Sequence, residues 1–302
     1  MLLSIFLICT CAKEDSWVSL NKKVAKLYQQ GRYPEAAEVA EEALQLAAKT
    51  FRSDHPNVAT SLNNLALLYR AQGKYAEAEP LYKLSLEIKE KAHGPDHPDV
   101  TTSLNNLALL YHSQSKYGEA EPLYKRVLEI WEKARGPDHP DVAKSLNNLA
   151  ELYRAQDRFS EAEALYKRAL EIWEKALRPE HPNVAKSLNN LALLYHSQGK
   201  YAEAEPLYKR ALEIKEKSFG PEHPDVAKSL NNLALFYHSQ DKYGEAEPLY
   251  KRVLAIKEKA LGPDHPDVAT VLENMTKCFR EMGKKDEAER FEARVIQIRS
   301  NR

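Results

Sequence analysis

The chain has 302 residues, 43% of them hydrophobic, with Lys plus Arg and Asp plus Glu both at 44, so its net charge is zero. That balance excludes a global field drawing nucleic acid or anionic lipid, and any electrostatic preference must be local. Three cysteines, Cys9, Cys11 and Cys278, are too few for a disulfide framework or a four-cysteine zinc site within one chain.

Met1 to Cys11 reads MLLSIFLICTC, an uncharged apolar run too short to span a bilayer, followed by the polar Lys13-Glu14-Asp15-Ser16. It resembles the core of a secretory signal without the usual basic n-region. Ile8-Cys9-Thr10-Cys11 approximates a lipoprotein cleavage box, with Thr where a smaller residue is usual. The reading favours export or the cell envelope over the cytoplasm, with membrane attachment only through a signal or lipid anchor. The alternative for residues 1–16 is a disordered N-terminus.

From residue 17 onward the chain repeats itself. His-Pro stands at His55, His97, His139, His181, His223 and His265, an unbroken step of 42 residues. Self-similarity at such a period signals stacked repeats, each covered by its neighbours, and hence one domain over 17–302. Helix pairs are predicted near 18–54, 57–95, 99–137, 141–179, 183–221, 225–263 and 267–301. The expected fold class is all-α, a solenoid of about seven antiparallel helix pairs.

The first pair keeps Val24 to Tyr28 and Gly31-Arg32-Tyr33 but has Lys22 and Lys23 where inner repeats carry Asn-Asn or Asn-Leu, and it reads one residue short before its turn. In the second pair, apolar residues at Val58, Leu62, Leu65, Leu68 and Tyr69 follow helical spacing, and Ala78, Leu81, Tyr82, Leu86 and Ile88 do so again. The break lies at Gly73, with Ser115, Asp157, Gly199, Asp241 and Gly283 as counterparts, types that tolerate a left-handed backbone. Each second helix is expected to stop at Gly94, Gly136, Gly220 or Gly262, where Pro follows; Arg178 replaces the Gly once. The His-Pro-Asp or His-Pro-Asn that comes next supplies a cap for the following helix. The last repeat, from Val268, turns polar through Lys277, Lys284, Lys285 and Arg290, as a capping repeat should.

Leu62, Leu65, Ala66, Tyr69, Gly73, Tyr75, Ala78 and Tyr82 resemble the tetratricopeptide repeat signature. The 42-residue period with His-Pro-Asp-Val, LNNLALLY and Lys-Arg-Ala-Leu-Glu-Ile is similar to the kinesin light chain variety, over about residues 18–300. The resemblance implies a right-handed superhelix whose first helices line a concave face that grips extended peptides. Only Met1 to Trp17 precedes the repeats, where kinesin light chains carry a long coiled coil, so the groove is carried over and motor association is not.

With Leu62, Leu65, Ala66 and Tyr69 facing the core, Asn63, Asn64, Leu67 and Arg70 fall on the remaining side, which the resemblance puts in the groove. Through the stack this gives a column of Asn64, Asn106, Asn148, Asn190, Asn232 and Asn274, doubled by Asn63, Asn105, Asn147, Asn189 and Asn231. Asparagine offers two donors and an acceptor, so such a column can hold backbone amides of an extended chain. The alternative is that one Asn of each pair bonds the neighbouring repeat and locks the stack. Lys144, Lys186 and Lys228 lie one turn earlier, and Arg70, His112, Arg154, His196, His238 and Arg280 lie beyond. Together they predict a preference for acidic peptides, set against ordinary solubilising charges. Leu109, Leu193 and Leu235 add apolar contacts, and Trp131 and Trp173 read as packing between hairpins.

No cofactor or metal site is expected, because the six repeated histidines fall in separate repeats and read as caps. No nucleophile elbow or phosphate-cradling loop departs from the repeat, so the chain reads as non-enzymatic, a scaffold for a protein partner and not for nucleic acid. The rival reading is a self-associating structural spacer in an envelope complex.

Overall fold

The computed structural model describes residues 2–300, and side chains from Glu14 onward. The signal-like segment Met1 to Cys11 thus lies outside the residues whose side chains are described. No helix among the described residues is long and apolar enough to cross a membrane.

Every regular element among the described residues is helical: α1 (Leu2–Gln29), α2 (Tyr33–Thr50), α3 (Pro56–Ala71), α4 (Tyr75–His93), α5 (Thr101–Ser113, entered through a 3-10 turn at Pro98–Val100), α6 (Tyr117–Arg135) and α7 (Pro140–Ala155). There follow α8 (Phe159–Ala176), α9 (Pro182–Ser197), α10 (Tyr201–Phe219), α11 (Pro224–His238), α12 (Tyr243–Leu261), α13 (Pro266–Glu281) and α14 (Lys285–Ser300). The chain divides within α7 into two units, residues 1–152 and 153–302. In the first, α1 packs on α2, α3 on α4 and α5 on α6; in the second, α9 packs on α10, α11 on α12 and α13 on α14.

The joins follow from local chemistry. Gly73, Ser115, Asp157, Gly199, Asp241 and Gly283 all have positive φ. At Ser115 the Lys116 amide returns to the Tyr111 carbonyl at 2.9 Å and the Ser115 amide to His112 at 2.9 Å, a paired closure that satisfies carbonyls left open by a helix end. The second joins depend on glycine more strictly. Gly136 takes φ 86 and ψ 161, a region closed to side chains with a Cβ. Where Arg178 stands instead, α8 stops at Ala176 and Leu177 becomes extended; Phe51, ahead of Arg52, does the same at the end of α2.

Each following helix is capped by its histidine. Nδ1 of His55, His97, His139, His181, His223 and His265 accepts the backbone N–H two residues on, at 3.1 to 3.2 Å. The capping reading of the histidines is therefore correct for all six.

The core repeats with the sequence. Leu62, Leu65, Ala66 and Leu68 of α3 are buried, as are Leu188, Leu191, Ala192 and Leu194 of α9. On the second helices a fully buried alanine, such as Ala78 or Ala204, lets the backbones approach, and a buried tyrosine, Tyr82 or Tyr208, fills the space a turn later. Trp173 is buried and Trp131 packs half-buried against Val100, Leu104, Val127 and Ile130, so both are packing residues.

Polar rungs connect successive repeats. Arg126 reaches Glu90 at 2.7 Å in the first unit; Arg210 reaches Glu174 at 2.8 Å and Arg252 reaches Glu216 at 2.6 Å in the second. Leu84 occupies the arginine's place one repeat earlier, where the position of the glutamate is taken by Ala48, and Leu84 is left 45% exposed.

Candidate functional site

The asparagine column lies on the first helix of each pair and is half-buried, except for Asn63 and Asn147, which are buried. Its members are joined to each other. Nδ2 of Asn64 donates to Oδ1 of Asn21 at 2.8 Å, Asn106 to Asn63 at 3.0 Å and Asn148 to Asn105 at 3.2 Å in the first unit. In the second, Asn232 donates to Asn189 at 3.1 Å. In each of these bonds the second asparagine of one repeat donates to the first asparagine, or its counterpart Asn21, of the repeat before. Each bonded pair still carries donors and an acceptor beyond the bond itself.

Asn21 was not among the residues singled out from sequence. The N-terminal pair does not lose a residue before its turn: α2 begins at Tyr33 and α4 at Tyr75, the full 42-residue step. On that register Asn21 takes the place of Asn63, with Lys22 in the place of Asn64. The weaker Lys22-Lys23 pattern misaligned the copy by one; the glycine turns, Gly31 and Gly73, carry the correct spacing.

The flanking charges differ from one repeat to the next. Lys144, Lys186 and Lys228 are exposed, and Lys144 bonds Asp141 at 3.0 Å. His196 is half-buried; its Nε2 meets Ser239 Oγ at 2.7 Å, and burial lowers its pKa below the usual histidine range. His238 stacks obliquely on Tyr243 and His112 on Tyr117, while Arg70 and Arg154 act electrostatically on the buried Tyr82 and Tyr208. Arg280 pairs with Glu292 at 2.5 Å, and Asn274 is half-buried on α13. Leu109 and Leu193 are half-buried, and Leu235 is exposed.

Three cavities open along this face. One of about 200 Å³ between α1 and α3 is lined by Asn21, Tyr28, Asn64 and Leu67. In the second unit a cavity of about 190 Å³ brings Lys186, Asn189, Asn190 and Lys228 together with Lys215. Another of about 250 Å³ holds Lys228, Asn231, Lys257, Asp267 and Thr270. Sequence reasoning grouped the first-helix residues and passed over Lys215 and Lys257. They sit near the ends of the second helices, and their place at the back of the cavities follows only from how the pairs stack.

His93, His97 and Asp99 bring three donor atoms within 4.8 Å of one another, all on exposed residues. Nδ1 of His97 is already the acceptor for the Asp99 amide, and the two rings are stacked at 5.0 Å.

Residues 19–91, 59–133, 99–175 and 225–301 match the sequence pattern of the tetratricopeptide repeat, and residues 164–260 match that of the nephrocystin-3 TPR domain. No curated protein matches the chain. Among solved structures, a putative kinesin light chain of Podosopora anserina with nearly identical TPR-like repeats is 32% identical, with a TM-score of 0.56 over 67% of this chain and 95% of that one. BtubC (BKLC) from P. vanneervenii is 25% identical, with a TM-score of 0.62 over 76% and 91%. RapI in its apo form, 17% identical over 94% and 98% with a TM-score of 0.63, shares the fold alone. Repeats of this kind generally act as scaffolds for protein partners rather than as catalysts. The chain belongs to the tetratricopeptide repeat family and is of the kinesin light chain type.

Proposed function

We propose that this protein is a non-catalytic scaffold that binds an extended segment of a partner protein along the first-helix face of its repeats, with acidic segments preferred. The observation that carries the reading is the set of cavities on that face, lined by asparagines and, in the second unit, by lysines. The bonded asparagines form a fixed row of amide groups, which matches the periodic amides of an extended chain and reads little of its side-chain sequence. Leu109, Leu193 and Leu235 between the polar rows supply anchor points for an aliphatic or aromatic side chain.

The test replaces Asn106, Asn148 and Asn190 together by Ala. Partners captured by the full chain are expected to fall away while circular dichroism shows the helical fold retained, at a lowered melting temperature because Asn106 and Asn148 also bond the preceding repeat. If every partner remains bound to a folded variant, the asparagine column is architectural and the reading is wrong.

A further inference from the structure

Inner helix pairs are covered on both sides, and the contacts that cover them recur at fixed positions. Leu86 of α4 packs on Val100, Leu104, Val127 and Ile130 of the following pair, and Leu254 of α12 packs on Val268, Leu272, Val295 and Ile298. The same position in α14 is Ile296, which is 64% exposed. A matching surface lies on the first pair. Leu20 and Leu46 hold the places of Leu104 and Ile130, and both are half-buried where their counterparts are buried.

Charges continue the same register. A lysine at the turn of one pair reaches a glutamate on the second helix of the pair before: Lys116 reaches Glu79 at 3.9 Å in the first unit, and in the second Lys200 reaches Glu163 at 4.0 Å and Lys284 reaches Glu247 at 2.6 Å. Two members of that series lack their other half. Glu289 is exposed on α14 and makes no ion pair among the described residues; Arg32, at the lysine's place in the first pair, bonds only Gln30 and Glu35 of its own turn. The asparagine row ends in the same way. Glu273 replaces the accepting asparagine in the last pair, and Lys22 replaces the donating one in the first. Glu273 pairs with Arg299 of its own repeat, and Lys22 is exposed without an ion pair among the described residues. Lys23 and Lys26 stand where Leu65 and Leu68 cluster with Ala37 and Ala40, and Glu289 and Glu292 stand where those alanines do. Glu35, Glu38 and Glu42 lie near these cations, so the match is made by register and not by net charge.

We propose that the last helix pair of one copy, α13 and α14, docks the first pair of a second copy, α1 and α2, in the register of the repeat. The occupant is this chain itself, because where an inner contact would form the two faces carry matching apolar residues or opposite charges: Ile296 to Leu20 and Leu46, Glu289 to Arg32, Glu273 to Lys22. The contact is heterologous, so a dimer retains one unfilled face of each kind and can take further copies. It is weaker than an inner contact, since charges replace buried leucines and exposed ion pairs contribute little and are screened by salt. It uses the sides of the first and last pairs, and its failure would leave the peptide-binding reading untouched.

Sedimentation equilibrium on the full chain tests this. The weight-average mass is expected to rise about two-fold between about 10 µM and 1 mM at low ionic strength, and to fall back toward the monomer in about 0.5 M salt. Reversing one face by Lys22→Glu with Arg32→Glu, or the other by Glu273→Lys with Glu289→Lys, should each give a monomer that is folded by circular dichroism. An equimolar mixture of the two should associate again, because each supplies the face that the other has lost. Ile296→Ser, at an exposed side chain that the fold does not need, should weaken association about 10-fold. Leu84→Ser, at the exposed leucine of α4, should change nothing. A chain that stays monomeric throughout overturns the proposal. Association that survives either reversal, or that responds to Leu84→Ser as to Ile296→Ser, puts the contact on another surface and overturns it too, as does a mixture of the reversed variants that stays monomeric.

Discussion

At the residue scale, the histidines and asparagines each act through one hydrogen bond repeated with the period of the chain. Nδ1 of His181 accepts the Asn183 amide at 3.1 Å. Replacing His181 by Ala should cost about 1 kcal/mol in chemical denaturation, and replacing it by Asn, itself a good cap, should restore most of that. His196 provides a pH dependence of known sign. Burial puts its folded pKa below the unfolded value of about 6.5. Above that value it is neutral in both states; as pH falls through it, the unfolded chain takes the proton first, so stability is lost until the folded form also titrates. His196→Gln should therefore lose less stability than the parent between pH 7 and pH 5, and a larger loss would refute the sign. The histidine caps were legible in sequence because the His-Pro-Asp grammar is local. The asparagine bonds were legible only as an alternative, one Asn of each pair bonding the neighbouring repeat; which partners meet, as Asn63 and Asn106 do, follows only once the helices are stacked.

At the element scale, the turn residues explain where helices stop. A Cβ added at Gly136 would meet nothing within 4 Å, so its φ of +86 is the whole obstacle. Gly136→Ala should cost about 1–3 kcal/mol with no change in the surrounding packing, as read by denaturant midpoint and near-ultraviolet dichroism. The exposed arginine rungs are a weaker element. Leu84→Arg with Ala48→Glu would extend the row into the preceding repeat, and the gain should be under about 1 kcal/mol, as for other surface pairs. Helix periodicity and punctuation were open to sequence reading because each depends on a few neighbouring residues. The register of the first pair was misread by one residue, since Lys22 and Lys23 weaken the internal match and only Gly31 and Tyr33 hold the period.

At the scale of the whole chain, repetition separates what must stay constant from what is free to differ. The buried leucines, alanines and tyrosines recur because every pair is covered by the next, and such stacks gain stability from their neighbours. Variation falls on the first-helix face, where Thr60, Thr102 and Thr270 stand at the position that Lys144, Lys186 and Lys228 take in the three central repeats. The claim that this face receives the ligand is tested most directly by photo-crosslinking a library-selected peptide carrying a benzophenone and mapping the attached residues by mass spectrometry. The account predicts crosslinks on α3, α5, α9 and α11, at or beside the asparagine rows. Crosslinks confined to α4, α6, α10 and α12 would contradict it.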